Sequence, residues 1–218
     1  MTDAKQRLMH LIELASTDAP ENRRTLAVEL CDLLIDWPSH YPAVMREPFE
    51  ALLEKTVRII DCETRRALIA RLASRHETPV TLLNEFYFDA PEDTRDAIVL
   101  RNALMDGVDA ATAGHTDEAA LVAAARSKSQ DQFAQDFANL LGIAPNTADR
   151  ILHDHSGRAL AVACKGAHLG RATFSALAVL SEAGMALDAA RERLSSFDSV
   201  PLTGAERLLD YWRSHKAA

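Results

Sequence analysis

The sequence predicts an all-α protein, and three observations carry that expectation. Apolar residues recur at helical spacing, as in Leu26, Leu30, Leu33, Leu34 and Trp37, or in Met45, Phe49, Leu52, Leu53, Thr56 and Ile60. Residues that favour helix ends stand where such stripes start and stop. No Asn-Gly or Asp-Gly pair joins two alternating runs, and β-branched residues are sparse, so no hairpin signal competes. With 218 residues, of which 48% are hydrophobic and 26% charged, the chain is long enough to bury a core.

Taken in chain order, Asp18-Ala-Pro20 sets a capping side chain ahead of a proline suited to the first turn, and opens the helix of Leu26 to Leu34. The stripe from Met45 to Ile60 makes the next helix, and Thr64 to Leu72 another. Thr78-Pro79 repeats the cap-and-proline signal and opens a helix ending in Phe86-Tyr87-Phe88. Successive residues point about 100° apart on a helix, so at least one of these aromatics is expected to be exposed or to meet another element. None of the eight glycines precedes Gly107, and Asp106 to Thr116 is small, polar and glycine-rich. A linker over 107–114 is therefore expected between a helical repeat region, 1–106, and a C-terminal helical region, 115–218. Beyond it, Ser129-x-x-Gln132 and Thr203-x-x-Glu206 have the form of capping boxes, and Gly142, Gly170 and Gly184 stand where left-handed C-caps are expected.

Composition excludes several classes. No run approaches 18 apolar residues, and Asp3, Lys5, Arg7 and Glu13 interrupt the first 16 positions, so neither a transmembrane helix nor a signal peptide is expected. A cytoplasmic protein is the expectation. Cys31, Cys62 and Cys164 contain no C-x-x-C pair and are expected to be small buried apolar residues. A formal charge of −8 opposes general binding to a phosphate backbone.

The first half contains an internal repeat. Thr64-Arg-Arg-Ala-Leu-Ile-Ala-Arg-Leu72 restates Asn22-Arg-Arg-Thr-Leu-Ala-Val-Glu-Leu30, and Asp93-Thr-Arg-Asp-Ala-Ile-Val99 is a weaker third copy. A period of about 40 residues holding two helices resembles HEAT and armadillo units, in which each helix pair leaves apolar surface for its neighbour to cover. The fold expected is thus an irregular HEAT/armadillo-like superhelix with a second helical region. That second region carries Asp154-His-Ser-Gly157-Arg-Ala-Leu160-Ala-Val-Ala-Cys164-Lys-Gly-Ala-His-Leu169, then Phe174. Arginine-marked repeats followed by this helix resemble the DUF2336 family, an all-helical bacterial family of unassigned function. The resemblance implies a fold and a bacterial origin, and it transfers no catalytic residues.

Three chemical constellations compete with a purely structural role. Ile151-Leu-His153-Asp154-His155-Ser-Gly157-Arg158 resembles the metal-binding core of HD-domain phosphohydrolases, in which adjacent His and Asp hold a metal that activates water. The preceding helix offers Gln130, Gln132 and Gln135 where that family needs a histidine, and a turn whose Asp154 or Ser156 caps the next helix is expected instead. Cys164 and His168, four apart, lie on one helix face and could form a zinc set with His153 and His155, but those two histidines are two apart and do not share a face, so no zinc site is assigned. Arg23, Arg24, Arg65, Arg66 and Arg95 could line an anion-binding or protein-binding face, although Asp18, Glu21, Asp61, Glu63, Glu92 and Asp93 share the same turns. P-loop, G-x-G-x-x-G, G-x-S-x-G and H-E-x-x-H motifs do not occur. The function expected is a non-catalytic protein-interaction or scaffold module without cofactor, and its candidate surface is Arg24, Arg66, Arg95, Phe86, Tyr87 and Phe88. Its expected partners are proteins, a second copy of the chain among them, rather than nucleic acid or membrane.

Overall fold

The computed structural model describes residues 2–17, 19–105, 117–127, 130–180 and 187–215. Among the described residues the protein is all-α: thirteen α-helices, two short 3-10 turns and no strand. The chain divides into two compact units, 1–95 and 96–218. The division falls inside a helix, whereas the linker expected over 107–114 lies outside the described residues.

The first unit contains α1 (Thr2–Ser16), α2 (Pro20–Ile35), α3 (Arg46–Ile59), α4 (Cys62–Ala73), α5 (Val80–Glu85) and the opening of α6 (Glu92–Ala103). Helix α2 is central, packing against α1, α3 and α4. It buries Leu26, Ala27, Leu30, Cys31, Leu33 and Leu34, the stripe its spacing predicts. Pro20 occupies the first turn, with Ala19 at the cap position; Asp18 lies outside the described residues. Trp37 does not continue the stripe, because α2 stops at Ile35 ahead of Pro38. Its ring instead packs edge-on against Phe49 and Tyr41, at 5.9 and 5.6 Å. Helix α4 opens on Asp61, whose carboxylate accepts the Thr64 N–H at 2.9 Å and the Thr64 hydroxyl at 2.8 Å.

Two boundaries differ from expectation here. The cap position of α5 is Pro79 rather than Thr78, whose buried hydroxyl donates to the Leu72 carbonyl at the end of α4, at 2.7 Å. The aromatic triplet does not run on a helix, since α5 ends at Glu85 and Tyr87–Asp89 form a 3-10 turn. That change of winding lets both Phe86 and Tyr87 be buried while Phe88 is half-buried.

The second unit contains the rest of α6, α7 (Glu118–Ser127), α8 (Gln130–Leu141), α9 (Pro145–Leu152), α10 (Arg158–Gly166), α11 (Arg171–Leu180), α12 (Leu187–Ser199) and α13 (Leu202–Ser214). Helix α10 is its centre, packed against α9, α11, α12 and α13. Ala159, Leu160, Ala161, Val162, Ala163 and Cys164 are all fully buried, so this helix is apolar round its whole circumference, as only an enclosed helix can be. Its small residues set how closely the neighbours approach. A Cβ on Gly166 would lie 2.5 Å from the Ala205 carbonyl oxygen of α13, which restricts the position to glycine.

Gly142 ends α8 in the left-handed region, φ 71°, as expected, and Ile143 N–H returns to the Ala138 carbonyl at 3.0 Å. Gly170 does not end α10. The left-handed residue there is His168, φ 56°, and Gly170 opens α11 instead, its carbonyl accepting from Phe174 N–H at 3.1 Å. Thr203 lies inside α13, whose cap position is Pro201, so the expected capping box is absent at that end. Ser129 and Gly184 lie outside the described residues. No described helix is long and apolar enough to cross a membrane.

Candidate functional site

The turn leading into α10 is held by a set of local hydrogen bonds. Asp154 Oδ2 accepts the Ala159 N–H at 2.8 Å, and the Ser156 hydroxyl donates to the same carboxylate at 2.9 Å. Ser156 Oγ in turn accepts the Arg158 N–H at 3.3 Å, while Gly157 N–H reaches the Asp154 carbonyl at 2.9 Å. These bonds satisfy N–H groups that a helix start leaves open, and they place a carboxylate where the helix dipole favours negative charge. Gly157 stands at the cap in the left-handed region, φ 71°. A Cβ there would overlap Cγ of Arg193, which is buried across the turn, and the Ser196 hydroxyl donates to the Gly157 carbonyl at 3.3 Å. Arg158 then pairs with Asp96 of α6 at 2.9 Å.

At the far end of α10 the same motif supplies Lys165. Its Nζ donates to the carbonyls of Phe197 and Val200, at 2.9 and 2.6 Å, and lies 5.1 Å from the Phe197 ring centre. It thereby closes the C-terminus of α12, where carbonyls lack intrahelical donors and the dipole favours a cation. Arg207 does the same for α6, donating to Asn102 and Met105 carbonyls at 2.6 Å each. Arg213 reaches the Leu141 carbonyl at the end of α8 at 2.9 Å.

In the first unit the repeat arginines prove to be this device twice over. Arg65 donates to the carbonyls of Ile60 and Arg58, at 3.0 and 3.1 Å, and pairs with Asp89 at 3.0 Å. Arg95 donates to Ala90 and Phe88, at 3.0 and 2.9 Å, with its guanidinium 5.7 Å from the Tyr87 ring centre. Both reach the carbonyls five and seven residues back, so one side chain ties each helix start to the end of the element before it. Aligning the repeats on Leu26, Leu68 and Ile98 makes Arg23, Arg65 and Arg95 the equivalent set. Arg24 and Arg66 sit one position further on, at exposed sites. Arg24 pairs with Asp61 at 2.9 Å, and Arg71 pairs with Asp32, so charge is balanced between copies. Two bonds from Thr64, and to a smaller extent the Arg24 contact, hold the Asp61 carboxyl down at about 2.

The candidate surface residues are therefore not brought together as one face: Phe86 and Tyr87 are buried and Arg95 is engaged with backbone. Of the candidate metal ligands, His153 Nδ1 lies at 2.9 Å from the Asp149 carbonyl on an exposed edge, whereas the Asp154 carboxylate turns into the start of α10. Cys164 is fully buried, which pushes its thiol up, and His168 lies past the helix end, 3.0 Å from Glu206. Among the described residues no three His, Cys, Asp or Glu side chains are placed to hold a metal ion. Cys31 is also buried, its thiol pushed up to about 11, but Cys62 is exposed at the first position of α4, contrary to expectation.

A helix whose apolar middle is fully buried, capped at one end by an Asp-x-Ser-Gly turn and bearing a lysine that closes a neighbour, defines the class: an all-α protein with a helix-centred second unit. Residues 103–210 match the model of DUF2336, described as an uncharacterised protein conserved in bacteria, the family that the motif of the second region resembles. No curated protein and no solved structure matches the chain.

Proposed function

We propose that the protein is a non-catalytic helical-repeat module that binds other proteins in the bacterial cytoplasm. The observation that carries this reading is the outward face of α1, where Met9 and Ile12 are 59% and 54% exposed while Leu11 and Leu14 are buried. Gln6, His10, Glu13 and Ser16 flank the two apolar side chains along a shallow groove. An apolar strip rimmed by polar groups suits a protein partner. The recurring contacts of Arg65 and Arg95 support a HEAT-like repeat in the first unit, since equivalent residues tie equivalent joints.

The test compares capture of partners from a bacterial lysate by the parent chain and by Met9→Ser/Ile12→Ser. Loss of the same partner from the variant, with unchanged melting, is expected. The competing reading, an HD-like phosphohydrolase centred on His153 and Asp154, requires the Asp154 carboxylate to serve a metal rather than α10. Stoichiometric iron, manganese or zinc in the purified protein, lost in Asp154→Ala together with phosphodiesterase activity, would establish that enzyme and overturn the proposal.

A further inference from the structure

We draw no further inference here: the strongest candidate, the exposed apolar groove along α1 lined by Met9, Ile12 and their polar neighbours, belongs to the surface already described, and nothing in the structure shows what covers it.

Discussion

His168 shows how one residue records a conflict between backbone and side chain. It holds a left-handed conformation that costs a side-chain-bearing residue about 1–2 kcal/mol, yet its ring sits 3.0 Å from Glu206. Replacing it by Gly or by Ala removes the ring equally, and only Ala retains the strained Cβ. His168→Gly is therefore expected to be more stable than His168→Ala by about 1 kcal/mol in denaturant unfolding. Equal stabilities would mean that the strain is absent. Asp61 makes a prediction in pH. Its folded-state value of about 2 lies below the ordinary 3.8, so the native state binds its proton less readily than the unfolded chain does. Its contribution is complete above about pH 4 and is lost as pH falls through about 2. Asp61→Asn should flatten the acid limb of the stability curve in that window, read by thermal melting at successive pH values. The sequence foretold Asp61 as a partner for the repeat arginines and foretold the Asp154 turn, because both depend on neighbours a few residues away or one repeat away. It could not foretell Arg193 over Gly157, where the two residues meet only through the packing of α12 on α10.

At the scale of elements, helix ends rather than helix faces distinguish this chain. Arg65, Arg95, Lys165, Arg207 and Arg213 each donate to carbonyls at or just past the end of another element. Hydrogen bonds from charged donors are worth about 1.5–3 kcal/mol each, so Lys165→Met, which keeps the apolar stem, is expected to cost about that much. Arg65→Lys should fall between the parent and Arg65→Ala, because an ammonium cannot reproduce the fork that reaches two carbonyls and Asp89. Urea unfolding of the three variants checks both statements. Helix existence was legible throughout from periodicity, as α2 and α10 show. Several ends were not, since Thr78 and Thr203 have the right chemistry for caps while tertiary contacts and proline place the starts elsewhere. The equivalence of Arg65 and Arg95 was present in the repeat but required alignment on the buried Leu68 and Ile98 rather than on the arginine pair.

For the whole molecule, the structure has two compact units, 1–95 and 96–218, and they divide inside α6. The second unit takes in Asp96, Val99 and Asn102 from α6, which serve Arg158, the closely packed backbone at Gly204 and Arg207. A fragment spanning 92–218 should therefore fold and melt well above one spanning 107–218, which forfeits Ile98 and Val99 at about 1.5–3 kcal/mol apiece. Equal melting temperatures would place the folding boundary after α6. Helix α10 carries a consequence for biosynthesis. It leaves the ribosome before α13 does, yet α13 supplies the backbone that seats against Gly166 and part of the cover for the apolar run Ala159–Cys164. A nascent chain stopped before residue 202 presents that run with one flank bare, so stalled or prematurely terminated products would be held by chaperones or degraded rather than accumulate as a half-finished unit.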